Sequence, residues 1–266
     1  MRPSKILARL RSNQSVQLAQ MGYFLPPFIA YAAHEGYDAL WLDLEHHTMD
    51  SREIQSVLAF AHHYDLDCLI RPPTQEKGQL YRYLEEGAAG LMIPHISSPE
   101  QARAVVNKVR FPPLGDRGIE GFGFEADFGL HRADLAEASN RETVLLVQIE
   151  TPEAVQQVEA IAAVPGIDGL YIGPGDLGLR MAYEAPDTQR SLNDVMRLVS
   201  AACVQAGKAW GCYALTESAL SEQIALGGRL LVWGADFLSL QQGLQHSKQT
   251  LERLLSSPAL SNEIKR

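Results

Sequence analysis

Residues 144–178 read VLLVQIETPEAVQQVEAIAAVPGIDGLYIGPGDLG. A short apolar run, Val144–Glu150, gives way to a helix start at Thr151-Pro152, and a second short run follows at Gly169–Gly173. Threonine can cap an unpaired backbone N–H, and proline at the first helical position has no N–H to lose, so the pair opens a helix. The same strand-then-helix unit recurs along the chain. Strands are expected at Val16–Met21, Ala39–Leu44, Cys68–Arg71, Gly90–Pro94, Val144–Glu150, Gly169–Gly173, Lys208–Tyr213 and Leu230–Trp233. Further helix starts stand at Asp50 with Glu53, at Ser98 with Pro99 and Gln101, at Ser191 with Asp194, and at Thr216, and glycines 36, 87, 207 and 227 close helical patterns. Ile54, Val57, Leu58 and Ala61 form one helical apolar face, and Val195, Leu198, Val199 and Ala202 another. Eight such repeats predict an α/β fold, a single (β/α)8 TIM barrel over residues 1–266, with a doubly wound open sheet as the structural alternative.

Composition agrees with one large globular domain. The 266 residues are 46% hydrophobic and 21% charged, with 21 glycines and 14 prolines, which excludes disordered, collagen-like and coiled-coil chains. A net charge of −9 argues against nucleic acid and anionic lipid as partners. Cys68, Cys203 and Cys212 are too widely spaced for a disulfide framework or a zinc cluster, which points to a reducing cytoplasm. The basic N-terminus lacks a signal-peptide core, and no run approaches the ~20 apolar residues of a membrane span. One segment, Phe111 to Glu142, breaks the pattern; it reads either as a surface excursion packed by Phe122, Phe124 and Phe128, or as a lid or subunit contact.

In a barrel the chemistry lies where the strands end. The second strand ends WLDLEH, so Trp41, Asp43 and Glu45 share a face with His46 just beyond. The third ends at Arg71, the fourth at Pro94-His95, the fifth at Gln148-Ile149-Glu150 and the sixth at Gly173-Pro174-Gly175-Asp176. Glu150 and Asp176, on adjacent strand ends, suit one divalent ion, Mg²⁺ or Mn²⁺, because their donors are oxygens only. The alternative is that each acid caps a helix or pairs with a cation. Gln148 shares the inward face of Glu150 and would hold a substrate oxygen or be a satisfied core amide. His46 is the candidate base, with His95 a weaker one. Arg71 suits an oxyanion or substrate carboxylate, or else an ion pair with Glu45 or Glu150.

The run Gly173 to Gly178 matches G-x-G-x-x-G and raises a dinucleotide-binding alternative. Because LRMAYEAPDTQRS follows it, the run is read as a tight turn whose bare N–H groups receive a carboxylate. Schiff-base chemistry needs a lysine at the rim, yet none of lysines 5, 77, 108, 208, 248 and 265 ends a strand.

These motifs together resemble the HpcH/HpaI aldolase family, the metal-dependent class II pyruvate aldolases acting on 4-hydroxy-2-oxo acids. The resemblance is carried by GYDALWLDLEHH, by IRPP at Ile70–Pro73, by RFPPLGDRG at Arg110–Gly118, by VLLVQIETPEA, by GIDGLYIGPGDL and by the closing Gly234 to Asp236. It implies a (β/α)8 barrel in which Glu150 and Asp176 hold Mg²⁺, Mn²⁺ or Co²⁺, and Gln148 and the Gly175-Asp176 backbone contact a pyruvate carboxylate. It further implies that Arg71 meets the enolate oxygen and that His46 is the base, supported by an acid that falls on Glu85. A helix C-terminus lies at the far end of its own barrel, so Glu85 would reach a histidine only through an unusual path or from a neighbouring subunit, with Asp43 as the local substitute. The resemblance implies a homo-oligomer, a hexamer or trimer of dimers, in which the last helix, about Phe237–Leu255 within the tail 237–266, packs on a neighbour or folds back on its own barrel. Partners would be a small 2-oxo acid and an aldehyde; a CoA-ester lyase or citrate-synthase-like condensing enzyme is the alternative on the same site. Phe124-Glu125-Ala126-Asp127 replaces an Arg-Ala step common in the family, which disfavours acidic acceptor aldehydes, and Tyr213 stands where an aliphatic residue is usual.

Overall fold

The structure is a computed structural model that describes residues 2–185 and 190–256. Its strands are β1 (Val16–Met21), β2 (Ala39–Asp43), β3 (Asp67–Arg71), β4 (Gly90–Ile93), β5 (Val144–Ile149), β6 (Gly169–Ile172), β7 (Ala209–Tyr213) and β8 (Leu230–Ala235). All eight lie within two residues of the expected positions and close, each parallel to the next, into one barrel with β8 paired to β1. Closure excludes the open sheet, and with it the crevice that a dinucleotide fingerprint serves.

The helices are α1 (Lys5–Arg11), α2 (Pro26–His34), α3 (Ser51–His63), α4 (Lys77–Glu85), α5 (Pro99–Val109), α6 (Leu135–Glu142), α7 (Pro152–Gln156), α8 (Val158–Ala162), α9 (Pro174–Met181), α10 (Leu192–Ala206), α11 (Glu217–Ala225) and α12 (Asp236–Leu255). The expected caps are in place: the Asp50, Ser98, Thr151, Ser191 and Thr216 side chains each accept a backbone N–H at the start of α3, α5, α7, α10 and α11. Gly207 ends α10 at φ +67°, a left-handed turn that glycine makes without a side-chain clash. Leu198, expected on the apolar face of α10, instead stands at the surface.

Strand alternation builds two cores. Leu40, Leu42, Cys68, Ile70, Leu145, Val147, Leu170 and Ile172 point outward and pack with the helices. Leu18, Trp41, Leu69, Met92, Leu146 and Tyr171 point inward and fill the lower barrel. The bottom is closed by α1, which the sequence reading did not anticipate: Ile6 and Leu7 join the inner core, while Asp67 accepts from Ser4 Oγ at 2.7 Å and the Ile6 N–H at 3.0 Å. Above the apolar layers the same inward columns continue as Asp43, Arg71, Gln148 and Glu150, all buried. The top of the barrel is therefore polar because its strands keep alternating after their apolar residues run out.

Two expectations are corrected. The run after Gly173 is not a tight turn but opens α9 at Pro174. Proline at the first helical position and the burial of Leu177 and Met181, one turn apart, favour the helix over the irregularity that the following sequence suggests. The long connection after α5 lies at the barrel end opposite the strand termini, so it is no lid over its own barrel's mouth. Phe124 packs on His62 at the end of α3 (ring centroids 4.8 Å) and on Phe128. Arg117, fully buried, pairs there with Glu125 at 2.5 Å.

After β8, α12 leaves the barrel: only Asp236 is buried, and Phe237, Leu238, Leu240, Leu244, Leu251, Leu254 and Leu255 are exposed. Residues 257–266 of the expected tail lie outside the described residues. Among the described residues no helix is long and apolar enough to cross a membrane.

A barrel this tightly paired should not tolerate a side chain at Gly211, where a Cβ would sit 2.2 Å from the Leu230 carbonyl oxygen. Gly211→Ala is expected to lose about 1–3 kcal/mol in urea denaturation. Gly118→Ala, with open space around it, is expected to stay within about 0.5 kcal/mol of the unsubstituted protein.

Candidate active site

Arg71 organises the mouth. Its Nε and Nη2 donate to Asp43 Oδ1 and Oδ2 at 2.9 and 2.6 Å, a two-pronged pair that adjacent ends of β2 and β3 place in register. Nη1 lies 3.0 Å from Glu45 Oε2, and the guanidinium stacks 4.9 Å above the Trp41 ring. Burial pushes the Asp43 carboxyl up, but the Arg71 guanidinium outweighs it, aided by the His46 and Glu45 N–H groups, and the net position is below the usual aspartate range. Asp43 Oδ1 accepts the Glu45 N–H at 3.1 Å and the His46 N–H at 3.4 Å, and so shapes the loop that carries both.

Across the mouth, Glu150 is 1% exposed and its Oε1 accepts the His95 N–H at 2.6 Å. The His95 ring spans two acids, with Nδ1 2.8 Å from Glu150 Oε1 and Nε2 2.9 Å from Glu45 Oε1. Burial raises the Glu150 pKa, the His95 N–H and ring oppose that rise, and the Glu45 and Asp176 charges add to it. Asp176 stands in the first turn of α9 and reaches Arg180, which also donates to the Glu150 carbonyl at 2.7 Å.

The structure thus brings Glu150, Asp176, Gln148, Arg71, Asp43 and Glu45 to one end of the barrel. His46 is at the rim, more than half exposed, its Nε2 3.8 Å from Glu45 Oε2. The imidazole that reaches the Asp43 carboxylate is that of His47, its Nε2 3.9 Å from Oδ2. Gly175 is exposed in the first turn of α9, where helical N–H groups have no intrahelical acceptor. Glu85 is elsewhere: it ends α4 at the far end of the barrel, where Arg117, Glu125 and Glu120 act on its charge. Lys208 is also at the lower end, its ammonium 2.5 Å from the Val164 carbonyl oxygen.

The donor set fits a divalent cation. Asp43, Glu45, Glu150 and Asp176 face two guanidiniums, Arg71 and Arg180, with the His95 ring between Glu45 and Glu150, so carboxylates outnumber permanent cations in a partly buried mouth. The buried Gln148 Oε1 has no hydrogen-bond partner. A Cβ at Gly173 would lie 2.7 Å from Glu150 Oε2, so a bare backbone keeps that oxygen accessible.

Sequence reasoning undervalued Glu45 and His95, although period-two spacing from Asp43 and a histidine just past a strand were the signals. It gave no role to Asp236, which accepts the Gly22 and Tyr23 N–H groups, both at 2.9 Å, and ties the β1 and β8 loops together. Tyr23, His47 and Phe237 then form an aromatic edge above the mouth.

A closed parallel barrel gathers carboxylates, an arginine and histidines at its strand ends, and the relatives of this chain, named as aldolases, make it a carbon–carbon lyase. The sequence pattern of the family described as "HpcH/HpaI aldolase/citrate lyase" matches residues 22–243, and the chain belongs to that family. It is 34% identical over 246 residues to the 2-keto-3-deoxy-L-rhamnonate aldolase of Klebsiella pneumoniae, covering 89% of this chain and 88% of that one. It is 31% identical to a hydroxypyruvate/pyruvate aldolase of Paraburkholderia phytofirmans, covering 84% and 87% of the two chains. A solved HpcH/HpaI family structure from Burkholderia cenocepacia superposes with a TM-score of 0.84 at 32% identity, covering 95% of this chain and all (100%) of that one.

The Asp43–Arg71 pair gives a pH-dependent expectation. Asp43→Asn should cost about 1.5–3 kcal/mol at pH 7 by urea denaturation. Because the folded Asp43 pKa is lowered, its contribution is in force above the ordinary aspartate pKa of about 3.9 and is lost only as pH falls through the lower folded value. The gap between the two proteins should therefore persist down to about pH 4 and close below it. Equal stability at pH 7 would contradict the pairing.

Proposed function

We propose that this enzyme cleaves 4-hydroxy-2-oxo acids to pyruvate and an aldehyde, and forms them in reverse, with Glu150 and Asp176 holding a divalent ion, Mg²⁺, Mn²⁺ or Co²⁺. The observation that carries the reading is the excess of carboxylates over permanent cations around buried Glu150, beside an amide oxygen without a partner and the first-turn N–H groups of α9. When bound, the ion polarises the ketone of the substrate and shares the charge that bond cleavage leaves.

The chain's own residues do the rest. The first-turn N–H groups of Gly175 and Asp176 and the Gln148 amide receive the substrate carboxylate. His46 at the rim takes the C4 hydroxyl proton, the C3–C4 bond breaks, and the aldehyde leaves. Arg71, held in one orientation by Asp43, meets the enolate oxygen, and reprotonation at C3 gives pyruvate. Asp43 serves His46 through its backbone within one chain, whereas Glu85 reaches a mouth only from a neighbouring subunit. Tyr23, His47, Tyr213 and Phe237 border the space for the aldehyde. With no free cation among them, a neutral aldehyde suits the site better than an acidic one.

We further place the enzyme in a homo-oligomer, a hexamer built as a trimer of dimers, through α12. The exposed leucines of that helix and an apolar cavity of about 460 Å³ between α2 and α12, lined by Leu25, Phe28, Tyr31 and Leu240, support an exchange of helices between subunits. A reducing cytoplasm suits three buried free thiols, each raised to about 12 by burial.

Steady-state assays with pyruvate and a panel of aldehydes test the reaction. Glu150→Gln and Asp176→Asn should each lower kcat/KM by about 100-fold or more, and Arg71→Ala should lower kcat by about 10²–10³-fold. Full activity of either carboxylate variant would overturn the assignment. Leu240→Glu combined with Leu244→Glu should reduce the mass measured by light scattering; an unchanged mass would exclude α12 from the interface.

A further inference from the structure

His95 occupies the point where the buried acids meet. Its φ is +60°, a left-handed conformation uncommon outside glycine, so the surroundings must hold it there. They do so through Glu150, whose Oε1 accepts the His95 N–H at 2.6 Å and lies 2.8 Å from Nδ1. On the other side Nε2 is 2.9 Å from Glu45 Oε1, and the second Glu45 oxygen is 3.0 Å from Arg71. The Glu45 and Glu150 side chains are 10% and 1% exposed.

A neutral imidazole has one N–H and one lone pair. With a carboxylate at each nitrogen, one carboxylate faces the lone pair, and a cation shared between them removes the repulsion. Two donors about 2.1 Å from one ion at right angles are about 3 Å apart, close to the separation of Nδ1 and Glu150 Oε1. The other nitrogen then donates its proton to Glu45, an arrangement in which a carboxylate orients a ligating histidine. One ligand atom from each of Glu45, His95 and Glu150 falls within 4.8 Å of the others. A separate observation lies beside Glu150: Gln148, 1% exposed, has an unpartnered Oε1, and its Nε2 and the second Glu150 oxygen, Oε2, both border Gly173.

We propose that His95 is a further protein ligand, through Nδ1, of the divalent ion on Glu150, oriented by Glu45, and that this nitrogen donor turns the site's preference from Mg²⁺ toward Co²⁺. The inference rests on the metal reading above. An all-oxygen site suits Mg²⁺, whereas imidazole favours later first-row ions.

Electron spin echo spectroscopy of the full-length protein loaded with Mn²⁺ reads the bond without using activity. The expected spectrum shows nitrogen modulation from a directly bound imidazole, altered when the histidines carry ¹⁵N and lost in His95→Asn, a replacement that tolerates a positive φ. Calorimetry should show Co²⁺ affinity falling about 10–100-fold in His95→Asn, with Mg²⁺ affinity changing less than about threefold. Mn²⁺ bound through Glu150 without imidazole coupling would overturn the role of His95 and leave the metal reading standing. Failure of the unsubstituted protein to bind Mn²⁺ would overturn both. The ¹⁵N comparison on the unsubstituted chain shows whether a histidine binds the ion, and His95→Gln, measured beside His95→Asn and with His46→Asn and His47→Asn as controls that should keep the modulation, assigns it to His95 if one variant does not fold.

Discussion

The arrangement depends on burying more negative than positive charge at one end of a barrel whose other end is hydrocarbon. Arg71 is the residue that makes this tolerable. Its guanidinium neutralises Asp43 through two aligned bonds, touches Glu45 and rests on Trp41, so a single cation ties the polar mouth to the apolar layer beneath it. Glu150 has no such partner. Its contacts are the backbone and ring of His95, and burial, with the Glu45 and Asp176 charges, pushes its pKa up. A carboxylate kept under those conditions is poised to receive a cation from solution.

The two ends of the barrel are separately engineered by the same strand alternation. At the bottom, α1 inserts Ile6 and Leu7, and Asp67 gathers the N–H and hydroxyl groups that capping leaves over. The connection after α5 reinforces that end through Arg117 and Glu125. At the top, Asp236 fixes the loops after β1 and β8, which lets α12 depart from the barrel without opening the mouth. Function is thereby concentrated where stability is least well served, and the apolar lower layers carry the fold.

Much of this was legible in the residues. Short apolar runs separated by capped helices specify all eight strands because each run's length, its flanking glycine or proline and its cap agree with one another. Glu150, Gln148, Arg71 and Asp43 were legible because inward positions can be counted from an apolar residue in the same strand. What was not legible depends on distance between elements. The helix at Pro174 was hidden by an irregular sequence after it and is decided by burial of Leu177 and Met181. The closeness of His95 to both Glu45 and Glu150 needs three strands in register. Glu85 illustrates the converse: the family resemblance suggests the mouth, while its position at the end of α4 puts it at the other end of its own barrel.

In the proposed reaction, carboxylates at the barrel mouth seat a divalent ion that makes pyruvate acidic at its methyl group. The most direct measurement is exchange of the pyruvate methyl protons with D₂O, followed by NMR, using protein stripped of divalent ions and then resupplied with Mg²⁺, Mn²⁺ or Co²⁺. The account predicts exchange that stops on stripping, returns with the ion and is absent in Glu150→Gln. Exchange that continues at the same rate in stripped protein would contradict it.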